Sequence, residues 1–287
     1  MRKYFFILFS LTSFAIFSQS LPRDTAKYEG KITFIKKVAT LIKDSLKLNI
    51  GEDFYTRFSE NDSMFNYVYV SRKDTVSKVT DGAFIYFGNH PYDAKIKADS
   101  LTKAGFDVML YQTAGTSGAF ISKRLLEYDE LSIAFIMLHE AMHRHIANTH
   151  STIPYEFEES IGDVVANSFC GWYSGANIKN YFAFAFRNEE IYTLINRCSK
   201  GKLSKEKCGT KIRSQLKDAT LFQKDRFDYT VNNAYLLRNL FYTKRYFQLR
   251  EVYQEIKNPK LFIEEMMKLP ADLKQCDEMI LALKKKY

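Results

Sequence analysis

The chain has 287 residues, 46% hydrophobic and 26% charged, enough for one large domain or two small ones around an ample core. Phe and Tyr are plentiful (24 and 19) while Gly and Pro are scarce (12 and 5), which excludes collagen-like, mucin-like and linker-rich chains. A formal net charge of +9 would suit an anionic partner, but the Lys and Arg are dispersed, no basic block names one, and no nucleic-acid partner is expected.

Residues 1–20 read as an export signal. Arg2 and Lys3 make a short positive start, Tyr4–Phe17 is an apolar run broken only by hydroxyls, and Ser18-Gln19-Ser20 offers small residues for a signal peptidase. Fourteen residues at about 1.5 Å rise fall short of a hydrocarbon core of roughly 30 Å, so no stable membrane span is expected once the signal is gone. No Cys follows the run to carry a lipid. The expectation is an exported chain starting near Leu21, periplasmic or secreted.

Residues 31–48 place Ile32, Ile35, Val38, Leu41, Ile42 and Leu46 at helical spacing. Phe65–Val70 and Ala83–Phe87 are aromatic and β-branched, hence strands. A polar amphipathic helix over Tyr92–Ala104 stops at Gly105, and Phe106–Tyr111 alternates as a strand. A short strand is expected over Gly118–Ser122, and from Asp129 onward almost everything reads helical. The predicted class is α+β, as one unit over residues 21–287. A mixed part with a small sheet covers about 60–175, and a helical part covers 176–287.

Four cysteines remain, compatible with two disulfides in an exported chain. Cys198 and Cys208 flank a polar stretch and suit a local bridge. Cys170 and Cys276 are then the leftover pair, or two buried free thiols. No CxxC occurs, so a cysteine zinc site is unsupported.

Residues 131–146 read LSIAFIMLHEAMHRHI and contain a complete HExxH, His139-Glu140-Ala141-Met142-His143. On a helix, positions i and i+4 share a face, so both imidazoles can reach one ion. Glu140, about 100° around the helix from His139, can touch a water on that ion without ligating it. The apolar run before His139 predicts a buried helix, which holds ligands rigidly.

A zinc hydrolase usually supplies three protein ligands and leaves the fourth position for water. An HExxHxxGxxH site is excluded, because Ile146 and Thr149 stand where Gly and His are needed. A cysteine ligand would be Cys170, which reads rather as a disulfide or core residue, and the third option is the acidic stretch Glu158-Glu159-Ser160-Ile161-Gly162-Asp163. Glu159 and Asp163 share a helix face. Glu159 is read as the third ligand, and Asp163 as the acceptor of a ligand His ring N–H. Glu156 and Glu158 compete with Glu159, but neither has an acid four residues on. Residues 144–158 provide the turn between two antiparallel helices. His145 reads as surface, His150 as turn and His90 as loop.

This arrangement resembles the bacterial family of predicted zinc aminopeptidases in the gluzincin group. The likeness covers roughly residues 80–250. Phe87-Gly88, Pro91-Tyr92, Gly105-Phe106-Asp107-Val108 and Thr116-Ser117-Gly118 follow the family's order, and Asn232-Asn233-Ala234 with Tyr242 is similar to its C-terminal element. The resemblance implies a zincin-like peptidase holding one zinc ion on His139, His143 and Glu159, with Glu140 as catalytic base. Two departures stand out: Ala141-Met142-His143 inside the motif, and Glu158-Glu159 where the family has Asn-Glu. No GxMEN-type element for a free peptide α-amine is present, so aminopeptidase activity rests on the resemblance alone.

The expected activity is hydrolysis of a peptide or protein by metal-activated water, with Glu140 moving the proton. Tyr235, Tyr242 and Tyr246 are candidates for stabilising the oxyanion, and Asn232 or Asn233 for holding substrate backbone. Thr113–Ala119 is a candidate edge for an extended peptide. The competing expectation is a non-catalytic, metal-containing envelope binding protein, which has no use for a base at Glu140.

Overall fold

A computed structural model describes residues 27–59, 65–73, 82–113, 118, 120–174, 193–217 apart from 195, 199 and 202, and 232–287 apart from 244. The signal stretch and most of Thr113–Ala119 lie outside these residues.

Alternation along three strands creates two unlike sheet faces. β2 (Phe65–Arg72) is central, pairing antiparallel with β3 (Gly82–Tyr86) on one side and β4 (Phe106–Thr113) on the other. The register sets Tyr67 opposite Tyr86 and Tyr111, and Tyr69 opposite Phe84 and Met109. Period-two geometry puts all six on one face. The other face carries Val68, Ile85, Val108 and Leu110 and packs on Ala94 and Ala98 of α2 (Pro91–Lys103). Small side chains there let the polar helix sit close to the sheet. β1 (Arg57–Ser59) and β5 (Phe120–Ser122) form a separate parallel pair.

The main core is helical. α1 (Glu29–Asp44) and the short α3 (Lys123–Glu127) lead into α4 (Glu130–Asn148) and α5 (Tyr155–Ser174). α4 starts where Asp129 accepts from the Ser132 N–H at 2.8 Å, an N-cap that satisfies an otherwise orphan donor. Ile133, Met137, Leu138, Ala141 and Met142 of α4 are fully buried against Phe157, Ile161 and Val165 of α5. α8 (Tyr246–Ile256), α9 (Pro259–Met266) and α10 (Leu273–Lys286) close the same core.

The α+β organisation is as expected, but its two parts interleave. α6 (Lys205–Lys217) and α7 (Asn233–Thr243), from the helical part, pack on the aromatic sheet face through Ile212, Tyr235 and Leu237. The Cys198–Cys208 disulfide lies in this cluster. The leftover pairing is wrong: Cys170 and Cys276 are free and buried. Their thiols face different backbone carbonyls, that of Leu131 for Cys170 and that of Pro270 for Cys276, so an even count did not imply a bond. Among the described residues no helix is long and apolar enough to cross a membrane.

Candidate metal centre

The centre forms where α4 and α5 run antiparallel. One turn along α4, from His139 to His143, matches one turn back along α5, from Asp163 to Glu159. Gly162 permits the close approach. A Cβ there would stand 3.0 Å from His139 Nδ1 and 3.3 Å from the His139 carbonyl oxygen. Gly162→Ala therefore sets a helix-propensity gain of up to ~1 kcal/mol against displacement of the His139 ring. Thermal stability of the metal-free chain is expected to change little while zinc affinity falls several-fold, as calorimetric titration would report. Unchanged affinity would show that the ring has room to move.

His139 Nε2 lies 3.0 Å from His143 Nε2. Glu159 Oε2 is 3.4 Å from His139 Nε2, and Glu159 Oε1 is 3.6 Å from His143 Nε2. Zinc bonds of 2.0–2.1 Å at tetrahedral angles require ligand atoms about 3.3 Å apart. The three side chains meet that separation within a few tenths of an ångström, so the group can hold a metal ion. Both rings also turn their other nitrogen to an acid. Glu158 Oε1 is hydrogen-bonded to His143 Nδ1 at 2.7 Å. Asp163 Oδ1 sits 2.9 Å from His139 Nδ1, at ion-pair distance though not aligned as a straight hydrogen bond. A proton held on each Nδ1 towards its carboxylate would leave the two Nε2 lone pairs to converge on a metal.

The electrostatics run the same way. Burial opposes charge on His139, but Asp163 and Glu159 outweigh it and hold the imidazole pKa well above its usual 6.5. His143 is raised too, by Glu158 against burial. Glu159 resists its own burial through the two rings and a hydrogen bond from Tyr155, which bring its carboxyl down to about 2. Metal must therefore displace protons from the rings. Zinc affinity is expected to fall as pH drops through the raised His139 pKa, so the loss begins above 6.5. In the metal-free chain the sign reverses: the protonated ring's stabilising contribution is full below about 6.5 and is lost as pH rises through the folded value. Zinc titrations in buffers of different ionisation enthalpy would detect the released protons, and an affinity flat from pH 6 to 8 would contradict this.

Glu140 is half-buried on α4, and its charge is felt by both His143 and Tyr67. Tyr67, half-buried on β2, has its hydroxyl pKa pushed up to about 12, first by burial and then by Tyr111, Tyr86, Glu140 and Glu159. It stays a proton donor at any physiological pH.

Several expected residues serve elsewhere. Asn232 caps α7 by accepting from the Tyr235 N–H at 3.0 Å, and its amide donates to the Val108 carbonyl at 2.9 Å. Asn233 donates to the carbonyls of Arg72 and Lys73. These two asparagines clamp a helix to the sheet. Tyr235 is buried in the disulfide cluster. Tyr246 is buried in the main core, where its hydroxyl accepts from Asn167 at 3.1 Å. Both tyrosines serve these clusters as buried packing residues. The Tyr242 side chain lies outside the described residues. Glu156 is spent on a buried pair with Arg245. His145, expected at the surface, accepts from the Asn49 N–H at 2.9 Å and borders a cavity of about 650 Å³ that none of the three ligand side chains lines.

Glu158 was weighed from sequence only as a rival ligand, and Tyr67 and Tyr155 went unassigned. The antiparallel step held a signal for the first, because a carboxylate for His143 must lie about one turn before Asp163. No matching family model, curated protein or solved structure was found for the chain.

Proposed function

We propose that the chain is an exported, zinc-dependent peptidase of zincin-like fold, akin to the gluzincin-group aminopeptidase family. One observation carries the proposal: His139 Nε2, His143 Nε2 and a Glu159 oxygen approach one another at 3.0–3.6 Å while both Nδ1 atoms face carboxylates. Bound there, zinc would supply charge that acidifies a water and polarises a peptide carbonyl. Glu140 takes the proton of the attacking water on its carboxylate and delivers it to the leaving nitrogen as the C–N bond breaks. Tyr67 donates its hydroxyl hydrogen bond to the carbonyl oxygen as negative charge develops on it. Glu158, Asp163 and Tyr155 hold the rings and Glu159 in place.

Export is supported by the pattern of residues 1–20 and by the Cys198–Cys208 bridge, since disulfides persist in oxidising compartments. The deciding test is metal analysis of the purified protein followed by digestion of a peptide library with and without chelator. One zinc per chain and chelator-sensitive cleavage are expected. A zinc-loaded protein that cuts no peptide would sink the hydrolase and leave the metal-containing binding protein.

A further inference from the structure

The aromatic sheet face is covered unevenly. Tyr69, Met109 and Tyr111 are buried under the α6 and α7 cluster, whereas Phe84 and Tyr86 remain 37% and 56% exposed. Those two stand two residues apart on β3 and project on the same side. Their neighbours extend the surface in both directions. Tyr86 meets Tyr67 with ring centroids 5.1 Å apart, and Tyr67 stacks on Tyr111 at 5.3 Å. Phe84 meets Phe241 of α7 at 5.7 Å, and Phe241 meets Tyr155 of α5 at 5.5 Å.

The Phe84–Phe241–Tyr155 direction reaches the metal centre. The Tyr155 hydroxyl bonds Glu159, and Tyr67 lies within electrostatic reach of Glu140 and Glu159. Tyr155 is itself 50% exposed. A partly exposed apolar strip that runs to a reactive centre is where a ligand's own apolar part binds. The rings are inclined to one another, by 66° for Phe84 against Phe241 and 31° for Tyr155 against Phe241, so faces and edges are both on offer. Such a surface favours a flat ring over an aliphatic chain.

We infer that Phe84, Tyr86, Tyr155 and Phe241 form a subsite for an aromatic side chain of the substrate peptide, close to the bond that is cut. The inference rests on the peptidase reading, so binding and cleavage are measured separately. Zinc-loaded Glu140→Gln protein is titrated by fluorescence anisotropy with labelled hexa-alanine peptides carrying one Phe at successive positions, against the all-Ala peptide. At one position Phe is expected to tighten binding about tenfold, and adding Phe84→Ala or Tyr86→Ala is expected to remove most of that gain at unchanged zinc content. Tyr86→Ala is the safeguard should Phe84→Ala disturb folding, because its ring is the more exposed. Equal affinity for all peptides, or a preference that survives both substitutions, overturns the subsite. Concentration-dependent dimerisation abolished by Phe84→Ala, without peptide discrimination, assigns the face to a second copy and also overturns it. A Phe preference in binding alongside a wild-type protein that cleaves nothing sustains the subsite and defeats the hydrolase.

Discussion

Glu140→Gln is expected to abolish turnover while leaving zinc bound. The reason is geometric. Glu140 sits between His139 and His143 in sequence but about 100° from His139 around the helix, and it is absent from the convergent group of His139, His143 and Glu159. Replacing its carboxylate by an amide of the same shape removes the proton acceptor without removing a ligand. General-base catalysis contributes roughly 10²–10⁴-fold, and kcat should fall by that much with KM little changed. Zinc per chain, measured by elemental analysis, should stay at the wild-type level. A Tyr67→Phe variant completes the comparison. It deletes one hydroxyl from the β2 wall, and a loss of about 10²-fold in kcat at constant zinc is expected for an oxyanion donor. If Glu140→Gln retains wild-type cleavage, the base is elsewhere and the mechanism fails. An envelope binding protein would tolerate the change without consequence.

How far the site could be read beforehand depended on what each residue touches. The two histidines and Glu140 follow from spacing within one helix, and the apolar run before them already implied the burial found for Ile133, Met137 and Leu138. Glu159 and Asp163 were readable because a second helix with acids four apart can meet the first on one face. Glu158 was not, since its role depends on where α5 starts. The helix opens at Tyr155, which brings Glu158 round to His143 Nδ1. Tyr67 was out of reach for another reason. It lies 72 residues before His139, and only the β3-β2-β4 order and the register facing Tyr86 and Tyr111 put it where the charges of Glu140 and Glu159 are felt. The same gap hid the bonds that Asn232 and Asn233 make to the backbone of β2, β4 and α7. Polar residues at a helix start commonly serve as caps and anchors to nearby backbone, a use that sequence spacing alone does not show.

Glu159→Ala is expected to abolish zinc binding at micromolar metal, and the order of losses around it tests the whole arrangement. Among the described residues Glu159 is the α5 member of the group that could hold the ion, and without it two imidazoles remain beside the carboxylates of Glu140, Glu158 and Asp163. Asp163→Asn and Glu158→Gln keep all three ligands and disturb only ring orientation and basicity, so each should weaken zinc about 10–100-fold. The readout needs care, because Glu159 also works in the metal-free chain. With its carboxyl held at about 2, its pairing with the rings contributes stability that is present above its ordinary 4.5 and fades as pH falls towards 2. A lower Tm at neutral pH is therefore expected of Glu159→Ala with or without metal, and it proves nothing about ligation. The informative quantity is the increment on adding zinc. A ligand at 100 times its Kd stabilises the native state by about 2.7 kcal/mol, worth several degrees in Tm for a chain of this size. That increment should be full in wild type, reduced in Asp163→Asn and Glu158→Gln at the same zinc concentration, and zero in Glu159→Ala. A wild-type increment persisting in Glu159→Ala would place the metal, if any, on other atoms and end the case for a centre shared between the two helices.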